Sequence, residues 1–152
     1  MATPAAGDVI NASDVIRART KWFGSNATGT LAASQTNIDI PGISINFTTE
    51  TAGADIALFW SMDADPASGG TTLISSRPRI TDPTSATTDA PVYAVYQSGA
   101  GNSGDRGSTS NTWKTTLGAA GNYTITLKGN TGASEIINLY TSLTVAVQEQ
   151  FS

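Results

Sequence analysis

An all-β chain, folded as an antiparallel β-sandwich or jelly roll behind a short N-terminal arm containing one helix, is what this sequence predicts. Three observations lead there. Apolar residues recur at every second position in five separate segments. Turns rich in Gly and Pro divide those segments. The remaining positions are filled largely by Thr, Ser, Ala, Asn and Gly, and only 13% of residues are charged, a composition suited to short strands joined by tight turns.

The arm is assigned to residues 1–25 and the β domain to residues 26–152. In the arm, Ser13 is placed to cap a helix, Asp14 falls in its first turn, Arg17, Arg19 and Lys21 lie toward its end, and Gly24 closes it. Val15, Ala18 and Trp22 share one face at helical spacing, with Val9, Ile10 and Phe23 nearby. So short a helix is unstable alone, so its stripe must dock on something.

After Gly24 the period changes to two. Ile43, Ile45 and Phe47 alternate with Ser44, Asn46 and Thr48. Ile56, Leu58, Trp60 and Met62 alternate with Ala57, Phe59 and Ser61. The same pattern recurs over 113–117, 123–128 and 143–148, and each set reads as a half-buried antiparallel strand. Weaker strands are expected at 28–33, 37–40, 71–76 and 134–140, and Pro78 marks a sheet edge or strand end. Pro41-Gly42, Ala52-Gly53, Gly69-Gly70, residues 118–121 and residues 129–132 supply turns, and 81–90 and 98–111 read as longer polar loops. The segment Val92-Tyr-Ala-Val-Tyr96 is apolar on both faces, and Phe59 lies opposite the Trp60 face. Such residues are covered either by the chain's own loops or by another subunit. The second reading gives a homo-oligomer, most simply a trimer, with Phe59, Tyr93 and Val95 at the contact.

Composition narrows the chemistry. A chain of 152 residues buries enough surface to fold without staples. It has no Cys and no His, which excludes disulfides, thiol nucleophiles, the usual zinc ligand sets and His-based triads. A net charge of −4 argues against a nucleic-acid reader. No stretch is long and apolar enough for a membrane span, and Met1–Asp8 lacks the basic start and apolar core of a secretory signal. Four N-x-S/T triplets, at Asn11, Asn26, Asn46 and Asn122, are expected by chance in so Ser- and Thr-rich a chain. Asp63-Ala-Asp65, and Asp82 with Asp89, are read as solvated turns and not as cation sites, because calcium needs more oxygens than two nearby carboxylates give. Glu50, Glu135 and Glu149 are dispersed along the strand pattern, so no carboxylate pair suggests a glycosidase. No enzyme activity, metal or cofactor is expected. Arg17, Arg19 and Lys21 either complement the helix dipole or dock on an acidic surface. Trp22-Phe23 either plugs the sandwich or inserts into a partner.

Several segments resemble a known group. Gly118-Ala-Ala-Gly-Asn-Tyr-Thr-Ile-Thr-Leu-Lys128, a Gly-rich turn, and Tyr140-Thr-Ser-Leu-Thr-Val-Ala-Val147 resemble the end of small bacteriophage virion jelly rolls. There a strand of type AGxYTxxL precedes a final SLTVxV strand, and Trp113-Lys-Thr-Thr-Leu117 is similar to the strand before them. Gly7-Asp-Val-Ile-Asn-Ala-Ser-Asp14 is similar to the start of phage head and tail accessory proteins. Between the two ends only the strand rhythm matches. The resemblance implies a domain related in shape to tumour-necrosis-factor and complement-type jelly rolls, commonly trimeric, with no active site to carry over. It implies a virion protein made in the host cytoplasm. The foremost expectation is a capsid decoration (cement) protein whose arm docks on the major capsid protein or another virion protein through Val9, Ile10, Val15, Ile16, Arg17, Arg19, Lys21, Trp22 and Phe23. No nucleic acid or membrane partner is expected. The alternative is a head- or tail-fibre module that binds host-surface glycans, with Tyr96 and the 98–111 loop as its candidates. A free-standing carbohydrate-binding module is a third reading, disfavoured by the opening motif.

Overall fold

A computed structural model describes residues 17–67, 73–97 and 106–151. Among these residues the chain forms nine strands and no helix: β1 Arg17–Leu31, β2 Ile38–Thr49, β3 Asp55–Pro66, β4 Leu73–Thr81, β5 Thr87–Asp89, β6 Ala94–Gln97, β7 Gly107–Thr116, β8 Gly121–Thr131 and β9 Ile136–Phe151. They build two antiparallel sheets, one ordered β1-β9-β3-β7, the other β2-β8-β4-β5 with β6 also paired to β4. β1, β3, β7 and β9 thus form one layer and β2, β4, β5, β6 and β8 the other, stacked as the antiparallel sandwich of a jelly roll.

The alternating residues fill the space between the sheets. Leu58, Trp60, Met62, Ile125, Leu127, Leu143, Val145 and Val147 are all almost completely buried. Trp60 donates its indole N–H to the Ser76 carbonyl at 3.3 Å, so the largest core side chain leaves no buried donor unpaired. Phe23, Phe47 and Tyr123 stack in a row, with centroid separations of 5.3 and 5.7 Å.

Two expectations are corrected. The helix predicted to end at Gly24 does not form over its described part: residues 17–24 are the first half of β1, paired with β9 from Arg17↔Phe151 to Leu31↔Ile136. Residues 13–16 lie outside the described residues. The helical stripe of Val15, Ala18 and Trp22 competed with a two-residue period in which Lys21, Phe23 and Ala27 point inward. A sixteen-residue partner strand outweighs a marginal isolated helix. The division drawn between residues 25 and 26 therefore falls inside β1. Pro41-Gly42 is the second correction: it is a bulge within β2, not a turn, since the pairing with β8 shifts between Asp39 and Ser44. From Asp39 to Ser44 β2 takes five steps against two on β8, and these three extra residues let Ile40 and Ile43, three apart, both face the core. Gly42 adopts a left-handed φ of 77° there.

Pro78 sits inside β4, paired with Leu127. Its carbonyl accepts from Ala90 N–H on the side away from β8. A residue's N–H and C=O point the same way in a strand, so the donor that proline lacks is missing from the thin β5/β6 side, where pairing passes from Ser76 to Arg79.

Candidate interaction surface

The outer face of the β1-β9-β3-β7 sheet is laid out in rungs by strand register. One rung runs Trp22, Ala146, Ala57, Lys114; the next Gly24, Thr144, Phe59, Thr112; then Asn26, Ser142, Ser61, Ser110; then Thr28, Tyr140, Asp63, Ser108. Small and hydroxylated residues dominate. Trp22 is 65% exposed and Phe59 39%. They lie on strands separated by β9, where Ala146 offers only a methyl group beneath them. The two rings lean across it to a centroid separation of 6.4 Å, tilted by 23°. The Trp22-Phe23 pair thus divides: in a strand neighbours face opposite ways, so Phe23 joins the core stack and Trp22 stands on the surface.

The expected contact residues fall on two different surfaces. Phe59 belongs to the face just described. Tyr93 and Val95, at 37% and 50% exposure, lie along the outer edge of the other sheet with Val92 and Leu73. Val95 pairs with Ser75 across β6 and β4. The Arg77 guanidinium sits 4.8 Å from the Tyr93 ring centroid. Arg77 also reaches Asp89 at 2.7 Å, and Asp89 in turn receives Nε and Nη2 of Arg79. The Arg79 hydrogen bond is the main cause that holds the Asp89 carboxyl below the usual carboxylate range, with the charge of Arg77 adding to it against the opposing effect of burial. Asp89 is therefore an ion-pair bridge and not the solvated turn residue expected. Asp82 does cap a turn: one oxygen accepts from the N–H groups of Thr84 and Ala86 and from the Thr84 hydroxyl, which lowers its pKa.

The edge carrying Tyr93 and Val95 is clamped to β7. Tyr96 turns inward and its ring lies over Gly107, where a β-carbon would stand 1.9 Å from a ring atom. Asn111 Nδ2 donates to the Tyr93 carbonyl at 2.9 Å. Tyr96, expected as an exposed sugar platform, is instead a half-buried packing residue.

Of the arm residues, Val9, Ile10, Val15 and Ile16 lie outside the described residues, as does the side chain of Arg17. Arg19 and Lys21 point toward the sandwich. Arg19 Nη2 donates to Glu149 at 3.1 Å and to Glu50, and Lys21 Nζ lies 3.6 Å from Glu149. The Glu149 side chain is fully buried. Burial raises its pKa, but the Glu50 N–H, the Arg19 guanidinium, the Thr51 N–H and the Lys21 charge together bring it below the ordinary value. This cluster ties the start of β1 to the end of β2, a role that the scattered Glu positions in the sequence did not announce.

Asp63 and Asp65 are on β3 and not in a loop. Arg106 Nε donates to Asp63 at 2.6 Å, and Asn138 Nδ2 to Asp65 at 3.0 Å. Among the described residues no three carboxylate, His or Cys side chains converge as metal ligands. No helix among them is long and apolar enough to cross a membrane. Between Asn26, Ser61, Asp63, Ser142 and Tyr140 the outer face holds a groove of about 500 Å³. Sequence reasoning missed it. Asn26 drew attention only as part of an N-x-S/T triplet, and Tyr140 only as the end of a weak strand and the first residue of a strand resembling phage jelly rolls.

No family model and no curated protein matches this sequence. Solved structures do share its shape. A chain of infectious bursal disease virus, Gt strain, superposes at a TM-score of 0.52 with 9% identity over 98% of this chain. The Gx strain gives 0.50 with 12% identity, also over 98%. This chain spans only 40% and 36% of those two chains. The Eiger TNF of S. frugiperda matches 88% of this chain and 92% of its own at 10% identity and a TM-score of 0.49. Strand order, sheet pairing and the two viral superpositions agree on one architecture: the chain is an antiparallel β-sandwich of the jelly-roll kind.

Proposed function

We propose that this chain is a non-enzymatic virion structural protein. In this reading it is a homotrimeric capsid decoration protein, held to the shell by the segment that precedes β1. The carrying observation is the pair of unlike apolar patches on one sandwich: the Trp22–Phe59 stack on one sheet face and the Val92, Tyr93, Val95 edge on the other sheet. A twofold contact uses one self-complementary patch twice, whereas two different patches that fit each other make a head-to-tail ring. Exposed aromatics beside an arginine ion pair have the composition of an interface centre with a polar rim. The shared shape with a chain of infectious bursal disease virus supports a virion setting. With Arg19 and Lys21 engaged by Glu149 and Glu50, docking on the major capsid protein falls to Val9, Ile10, Val15, Ile16 and Arg17.

Phe59→Asp and Val95→Asp each alter one patch at an exposed position. Light scattering should find the parent chain trimeric, each variant monomeric, and an equimolar mixture of the two dimeric, because one intact junction remains. A parent chain that stays monomeric at micromolar concentration, or variants that stay trimeric, would overturn the ring. Densitometry of purified particles tests the location separately: hundreds of copies fit decoration, and tens fit a fibre.

A further inference from the structure

We propose that the groove on the outer face of the β1-β9-β3-β7 sheet, bounded by Asn26, Thr28, Ser61, Asp63, Ser108 and Tyr140, binds a neutral saccharide. The proposal goes beyond the virion reading and does not depend on the oligomeric state.

Hydrogen-bonding capacity sets the groove apart. On the opposite sheet, several outward-facing polar side chains pair across strands: Thr48 donates to Asn122, Thr124 to Asn46, and Asn130 to Ser75. Around the groove the pattern differs. Ser61 and Ser142 share one hydrogen bond at 2.7 Å, but the Asn26 amide and the Thr28, Ser108 and Tyr140 hydroxyls have no partner among the described residues. Donors and acceptors on three strands of one sheet, β1, β9 and β7, are therefore held in fixed register and left to face a ligand.

The second element is an aromatic wall. Tyr140 is 43% exposed, and its ring is steadied by the Arg106 guanidinium, 4.6 Å from the centroid. Arg106 is itself held by Asp63. A sugar ring offers what such a wall and such a rim require: an apolar C–H face to lie along an aromatic surface, and a ring of hydroxyls that both donate and accept.

Charge narrows the class. Asp63 and Arg106 neutralise each other at the groove, and Asp65, on the next outward position of β3, adds a negative charge beyond it. An acidic sugar is repelled and a cation finds its nearest carboxylate already paired. A neutral hydroxylated ring suffers neither penalty.

The test uses the full chain, labelled with nitrogen-15, titrated separately with the methyl glycosides of glucose, galactose, mannose and N-acetylglucosamine. At least one should shift the backbone amides of residues 26–28, 61–63 and 140–142 with a millimolar dissociation constant. Tyr140→Ala and Asn26→Ala should each weaken that binding about tenfold at an unchanged melting temperature, while Tyr140→Phe should retain most of it. Asn26 is exposed on an edge strand, so its variant remains informative if Tyr140→Ala folds poorly. No shift with any glycoside, or shifts that survive both alanine variants, would overturn the proposal.

Discussion

The seam between β6 and β7 offers a sharp test, because a single methyl group is excluded there. Gly107 has ordinary strand geometry, but a β-carbon would stand 1.9, 2.2 and 2.6 Å from three atoms of the Tyr96 ring. Carbon atoms in contact need about 3.5–4 Å, so the ring must move by well over 1 Å or β6 must peel from β7. Overpacking of this kind costs about 1–3 kcal/mol, which for a domain of this size lowers the melting temperature by about 2–4 °C per kcal/mol. The cost depends on the ring, so it should disappear with it. In a Tyr96→Ala background, itself destabilised by about 2–3 kcal/mol, Gly107→Ala should be neutral or stabilising, since Ala is favoured over Gly inside a strand by about 0.5–1 kcal/mol. Urea denaturation of the four proteins in this double-mutant cycle measures the coupling. If Gly107→Ala costs the same in both backgrounds to within about 0.5 kcal/mol, the ring is not what selects glycine, and the clamp on the Tyr93–Val95 edge has been misread.

Two further tests address other parts of the frame. Glu149 has a pKa held below its unfolded value, so it contributes stability above the ordinary carboxylate range, and that stability is lost as pH falls through the folded value. Glu149→Gln should cost about 1.5–3 kcal/mol at pH 7 and flatten the loss of stability below about pH 4, read from urea midpoints across pH. An equal acid slope in the variant would remove Glu149 from the account. Gly42 and Gly53 both have φ of 77°, but a β-carbon meets Ala27 at 2.8 Å only at Gly42. Both alanine substitutions should incur about 1–2 kcal/mol of left-handed strain, and Gly42→Ala should cost measurably more in the same denaturation assay.

The strands were legible wherever two-residue alternation ran against turn residues. β2, β3, β8 and β9 contain the segments that the alternation marks, and β7 contains all of its segment but Leu117, because burial of one sheet face is what writes that pattern. The N-terminal failure has the same cause seen from the other side. In β1 the inward positions hold Arg19, Lys21, Ser25 and Gly29 as well as Phe23, so the alternation of apolarity is weak even though the alternation of direction is strict. The charges belong inside because Glu149, on the far end of the chain, waits there for them. A local pattern has no access to that partner, and a cap-like Ser13, a helical stripe and a terminal Gly24 were the only local signals left. The Pro41-Gly42 bulge failed for a related reason: locally a bulge and a turn use the same residues, and only the continued pairing with β8 tells them apart.

Alternation also reports whether a side chain faces in or out, but not which outward side chains become neighbours. That depends on sheet order, and here the order joins the two ends of the chain through β9. Trp22 meets Phe59 only because β9 lies between β1 and β3 with Ala146 under the rings, and Tyr140 meets Asp63 and Arg106 by the same insertion. The exposed aromatic Phe59 was singled out from sequence as lying on the wrong face of its strand, yet its partner Trp22 was assigned to a helix. The consequence is general for sandwiches of low charge. Where few ionic groups are available to mark a surface, recognition must be carried by register: which rungs place aromatic beside small residue, and which leave hydroxyls without a cross-strand partner. On the β2-β8-β4 face Thr48, Thr124 and Asn130 close on cross-strand partners. On the β1-β9-β3-β7 face Ser61 with Ser142, Thr116 with Asp55 and Asn138 with Asp65 close in the same way, but Asn26, Thr28, Ser108 and Tyr140, gathered around one groove, do not, and that local cluster is the physical reason to look for a ligand there.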